Sequence, residues 1–129
     1  MTAMRESRLF LSEGGSSTVE LAIILSVFLS MLFGIVNTGI VLWTMASLHY
    51  AAETSARCAA VGSTGCTDAS SIMSYALDHY FGVSLGGTNP FSYSATGCGH
   101  TVTAFYTYSL VIPMVGTYPL SLSTTACSP

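Results

Sequence analysis

From Leu21 to Trp43 the chain runs for about 23 residues without an Asp, Glu, Lys, Arg or His, and no other feature limits its folding so tightly. At 1.5 Å of rise per residue a helix over this block reaches about 34 Å, enough to cross the hydrocarbon layer of a bilayer. Composition agrees: half the residues are hydrophobic and 7% are charged, against about a quarter charged in an ordinary soluble domain. Mean hydropathy is +0.60. A cleaved secretory signal has an apolar core of about 7–15 residues. The block is nearly twice that, so it reads as a membrane anchor even though small residues near Ala46 imitate a cleavage site.

The four cysteines, Cys58, Cys66, Cys98 and Cys127, all follow the block. This one-sidedness places the later residues in a compartment where disulfides form. Arg5 and Arg8 precede the block and only Arg57 follows it, which by the positive-inside rule leaves the N-terminus in the cytoplasm. Three basic residues and a net charge of −3 exclude the clustered Lys and Arg that phosphate binding needs, so nucleic acid is not an expected partner. Some 86 residues remain after the block, a size at which one core gives marginal stability and covalent staples help.

Along the chain, residues 1–15 read as a polar leader ending in Glu13-Gly14-Gly15, where the glycine pair predicts a break in any helix. Ser16-Ser17-Thr18 offers hydroxyls for a helix start, and Glu20 would stand in the first turn, where the helix dipole favours an anion. A transmembrane helix is therefore expected over 16–43. No proline occurs before Pro90, so the helix is free to continue to about Val61, with Met45, Leu48, Ala52, Ala56 and Ala59 on one face and Gly62 as its stop. Glu53 and Arg57 form an i,i+4 pair on the opposite side. A second helix is predicted over 68–81, with Ile72, Tyr75, Ala76 and His79 on one stripe. After the loop Gly86–Pro90 the period becomes two. Phe91, Tyr93 and Ala95, then Val102 to Ile112 at alternate positions, then Leu120 and Leu122 predict three antiparallel strands whose apolar face covers the alanine face of the long helix. The expected fold is α+β and membrane-anchored, with an extracytoplasmic domain over 44–129.

Small residues inside the apolar helix are not scattered. Thr18, Ala22, Ser26, Ser30, Gly34 and Thr38 all fall on one i+4 row, with Gly39 the sole small residue off it. Such rows let helix backbones approach closely in lipid, where dispersion and interhelical hydrogen bonds drive association. The row advances about 40° per step and winds round the helix, which suits a crossed partner or several neighbours. Glu20 stands at the edge of the block, where an ionised carboxylate profits from a cationic partner. Were the chain cut after Gly15, the new α-amine of Ser16 would lie one turn from Glu20 and supply that cation, to its own chain or a neighbour.

These residues carry a resemblance. Gly14-Gly15-Ser16-Ser17-Thr18-Val19-Glu20-Leu21-Ala22, the apolar run through Phe33-Gly34-Ile35, and Ala51-Ala52-Glu53-Thr54-Ser55-Ala56-Arg57 with Ala59-Ala60-Val61 resemble the TadE-like minor pilins of bacterial tight-adherence (Flp) pili. The resemblance spans about 14–61, with a looser likeness in the three strands. It implies a single-pass bacterial inner-membrane protein with a periplasmic C-terminal domain. A prepilin peptidase would cut it after Gly15, and Glu20 would be the fifth mature residue, guiding assembly. The partners it implies are other pilin or pseudopilin subunits, the prepilin peptidase, the pilus assembly platform and membrane lipid. The alternative is an uncleaved, membrane-anchored envelope binding module that never enters a filament.

Four cysteines allow three pairings. In a three-strand meander the ends of the first and third strands share an edge, which favours Cys98–Cys127 and leaves Cys58–Cys66 to close a short loop. Cys98-Gly99-His100 offers two zinc ligands but lacks paired CxxC spacing, so neither metal nor cofactor is expected. Gly82-Val83-Ser84-Leu85-Gly86 fits the G-x-S-x-G pattern of a hydrolase nucleophile. That elbow needs a strand before it, a helix after it, and an acid later in the chain. No Asp or Glu follows Asp78, so no enzymatic activity is expected. His49, His79 and His100 are scattered, Trp43 reads as an outer-interface anchor, and Met114-Val115 after Pro113 forms an apolar turn.

Overall fold

A computed structural model describes residues 14–112 and 115–129. The elements are α1 (Gly14–Val61), α2 (Ala69–Asp78), β1 (Phe91–Ala95), β2 (His100–Ile112) and β3 (Gly116–Ser128). The chain divides into two units after Val36. The architecture is the α+β arrangement predicted from the sequence, with one long N-terminal apolar helix, a second helix and a three-stranded antiparallel sheet.

Within residues 14–36 the unit is helix alone, and every side chain from Ser17 to Val36 is exposed. Its start corrects the expectation that the glycine pair ends helical structure. Gly14 and Gly15 are both helical, so Ser16-Ser17-Thr18 lies inside the helix and no acid occupies its first turn. Adding one residue to a formed helix is cheap compared with nucleating one, and the strongly helical run behind them offsets a glycine cost of about 1 kcal/mol each. The leader before residue 14 lies outside the described residues.

Within residues 37–129 the second half of α1 is one wall of a core. Leu48, Ala51, Ala52, Ala56 and Ala59 cluster with Ile72 and Ala76 of α2, Phe91 of β1, Val102 and Ala104 of β2, Leu122 of β3, and Cys66. The polar residues that share the alanine face are small and internally bonded. Ser55 Oγ donates to Ala51 O at 2.6 Å, and Thr44 Oγ1 donates to Ile40 O at 2.8 Å. Burying them therefore strands no hydroxyl.

At its C-terminus α1 ends on Gly62 at φ +65°. The Gly62 N–H bonds Ala59 O and the Ser63 N–H bonds Cys58 O, which is the paired closure of a Schellman turn. A Cys58–Cys66 disulfide clamps the loop that follows. α2 opens with the Asp68 N–H donating to Ser71 Oγ at 3.0 Å. It stops at Asp78, three residues before the predicted end, because Phe81 is drawn away to α1: its N–H donates to Ser47 Oγ at 2.8 Å. Tyr80 turns back and donates its hydroxyl to Val83 O at 2.8 Å. Its ring covers Gly82, where a Cβ would stand 2.6 Å from Tyr80 Cζ. Burial, and secondarily the nearby Tyr106, push the Tyr80 hydroxyl above its ordinary pKa, so it remains a donor.

The sheet order is β1-β2-β3, all antiparallel. β1 pairs only with the first five residues of β2, whereas β3 pairs along the whole of it, from His100↔Ser128 to Ile112↔Gly116. β3 is thus far longer than the Leu120–Ser123 segment that alternation alone marks. Val102, Ala104, Leu122 and Thr124 point into the core, while Thr107, Ser121, Ser123 and Thr125 are exposed.

Candidate assembly surface

Because α1 turns about 100° per residue, positions four apart lie nearly above one another. The row Thr18, Ala22, Ser26, Ser30, Gly34 and Thr38 is exposed throughout. A Cβ built at Gly34, or at Gly39, would meet nothing within 4 Å. The two serine hydroxyls of the row fold back on their own helix: Ser26 Oγ donates to Ile23 O at 2.8 Å and Ser30 Oγ to Ser26 O at 2.6 Å. The row therefore presents a shallow, largely apolar groove. Its two serines need no outside acceptor, which lowers the cost of lipid or helix contact. Ile23, Ile24, Phe28, Leu32, Phe33 and Ile35 crowd the rest of the circumference, all exposed.

The helix is long and apolar enough to cross a membrane, and the window that qualifies it is wholly unburied in the protein. The core helix of a soluble fold would be covered by its own chain. Glu20 is exposed between two exposed apolar side chains, Val19 and Leu21, at the start of the apolar run. Gly15 is exposed too, while the Ser16 side chain lies outside the described residues.

The remaining candidates fall elsewhere. Cys98 is joined to Cys127, so its sulfur is committed, and the Tyr93 hydroxyl stands 2.6 Å from His100 Nδ1. His79 stacks on Tyr75, and its Nδ1 lies 2.9 Å from Tyr75 O. His49 lies 3.9 Å from Glu53, which also bonds Arg57. Among the described residues no three His, Cys, Asp or Glu side chains converge in a metal-binding group. Ser84 sits in the loop between α2 and β1, where its carbonyl accepts a long bond from the Tyr106 hydroxyl. That is neither the strand nor the helix context of a nucleophile elbow. Pro113 and Met114 lie outside the described residues, and Val115 beside them is exposed.

Sequence reading did not anticipate that Ser47 and Trp43 bind the Phe81 backbone. Ser47 takes the N–H, and Trp43 Nε1 donates to the carbonyl at 3.3 Å. These residues lie more than thirty positions apart, and nothing local signals the contact.

Comparison with known families adds one finding. Residues 15–57 match the TadE-like protein family. The matched segment is a third of the chain and contains Glu20 and the whole small-residue row, ending one residue before Cys58. The TadE-like segment thus coincides with the helix and stops short of α2 and the sheet. No curated protein and no solved structure matches the chain.

Proposed function

We propose that this protein is a minor pilin-like assembly component of a tight-adherence (Flp-type) pilus, acting structurally rather than catalytically. The supporting observation is the coincidence of the TadE-like match with an exposed apolar helix carrying an unbroken i+4 row of small residues. In this reading α1 anchors the chain in the bacterial inner membrane with the disulfide-bearing domain in the periplasm. The helix docks beside other pilin or pseudopilin helices on the assembly platform and accompanies them when a filament forms.

Processing belongs to the same proposal. Cleavage by a prepilin peptidase after Gly15 would make Ser16 the new terminus and bring Glu20 into the second turn of a helix that starts with a cationic amine. N-terminal sequencing of the protein from piliated cells should read Ser16-Ser17-Thr18. An intact leader in cells that contain the peptidase would instead favour an anchored envelope module that never enters a filament.

The row makes a separate prediction. Gly34→Leu places a branched side chain where the helix surface is open, so insertion should be unaffected while association with partner helices falls by about 1 kcal/mol, roughly fivefold. Quantitative co-purification from detergent extracts measures it. Unchanged recovery of partners would count against the row as a contact.

A further inference from the structure

Where the apolar run of α1 ends, three aromatic rings meet. Trp43, Tyr50 and Phe81 are each about half exposed, at 58%, 51% and 50%. The Phe81 ring lies 5.4 Å from Trp43, edge to face, and 5.7 Å from Tyr50. A half-exposed aromatic on a loop is ordinarily wetted through its backbone, but this one is not free to be. The Phe81 N–H is taken by Ser47 Oγ, its carbonyl by Trp43 Nε1, and the indole has no second donor. Tyr50 also lines a pocket with Glu53, Thr54 and Arg57, but on the Trp43 side the cluster is neutral. α1 carries no Asp, Glu, Lys or Arg between Glu20 and Glu53, and none occurs after Asp78.

We infer that Phe81 and its loop form a second membrane contact, a wedge of the C-terminal domain that rests in the headgroup layer beside Trp43. A residue entering that layer pays for each main-chain group it strips of water without replacement. Phe81 has both groups satisfied by α1 itself, so its ring can enter at little cost. Aromatic rings with one wet end favour this depth. The bilayer is the occupant because the cluster continues the lipid-facing run at its last residue, Trp43. The contact would fix how the domain sits on the membrane, which a single helix leaves free to swivel. It rests on the reading of α1 as the anchor.

The chain has a single tryptophan, which makes the test direct. The full-length protein is placed in phosphatidylcholine vesicles containing lipid brominated either near the headgroup or near the bilayer centre, as wild type and as Trp43→Phe with Phe81→Trp. Tryptophan at 81 should be quenched roughly twofold more by the shallow bromolipid than by the deep one and shielded from aqueous iodide, as at 43. Full access to iodide at 81, with lipid quenching kept at 43, overturns the wedge and leaves the anchor intact. Loss of lipid quenching at both positions overturns the anchor too. Shielding from iodide that appears only at high protein-to-lipid ratio, without lipid quenching, would assign the cluster to a second copy and overturn the proposal. In the unmutated chain in nanodiscs, the Phe81 amide should be broadened by a headgroup-region spin-labelled lipid and spared by an aqueous gadolinium chelate. The reverse pattern would likewise overturn it.

Discussion

Replacing both Cys98 and Cys127 with alanine should destabilise the C-terminal domain by about 3–4 kcal/mol, and replacing Cys58 and Cys66 by about 2–3 kcal/mol. The order follows from the chain closed by each bridge, 29 residues against 8, since a longer closed loop removes more entropy from the unfolded ensemble. Placement points the same way. The longer bridge ties the β1–β2 turn to the end of β3, beside Gly99 at φ +122°, where a Cβ would stand 2.6 Å from Ser128 O. The shorter bridge reinforces a turn that Gly62 and its two backbone bonds already close. A domain of this size has only a few kcal/mol in hand, so loss of Cys98–Cys127 should leave it marginal at growth temperature. Denaturant titration of the full chain in detergent, followed by near-ultraviolet circular dichroism, measures both variants. Equal losses, or a larger one at Cys58–Cys66, would contradict the ranking.

Leu48→Ala is the second large effect, expected at about 3 kcal/mol. Leu48 is completely buried and the largest such side chain among the described residues. Apart from Met45, its neighbours on the buried face of α1 are alanines and small hydroxyl residues, which cannot collapse into the space it would leave. In a domain of this length each kcal/mol lowers the melting midpoint by about 4–8 °C, so the change is readily resolved. Leu25→Ala removes the same atoms from an exposed position on the apolar helix and should leave the domain's midpoint where it was. A midpoint shift at Leu48 no larger than at Leu25 would mean that the alanine face is not the wall of the core.

What could be read in advance was what local chemistry dictates. The stop of α1 was legible because Gly62 occupies the left-handed position that closes a helix. The inward residues of β2 were legible because Val102, Ala104, Tyr106 and Tyr108 alternate with threonines, serine and Phe105. The extent of β3 was not, since Thr117, Ser121, Ser123 and Thr125 carry no apolar alternation and are held in the sheet by the full length of β2. The early end of α2 was hidden for a similar reason, a hydrogen bond from Phe81 to Ser47 on another element. At the helix start, glycine chemistry misled because chain continuity outweighed it.

On the assembly surface the i+4 row was fully visible in the sequence, as spacing alone defines it. The inward turn of its serine hydroxyls was not, because a serine on a helix can bond its own backbone or a neighbour's with similar ease. Thr44, Ser47 and Ser55 were equally opaque: a count of polar residues places them outside, whereas the fold buries all three, Ser47 against the Phe81 backbone.

The central claim is that the TadE-like helix docks sideways against pilin helices along its small-residue face, and photocrosslinking from single positions in piliated cells tests it most directly. Ile23 and Phe33 flank the row, and Ile24 and Phe28 lie on the far side of the helix. A photoreactive residue at Ile23 or Phe33 should give adducts with pilus subunits that disappear when Gly34→Leu is added, with few from Ile24 or Phe28. Adducts of equal yield from both sides, or none to any pilus subunit, would contradict the account.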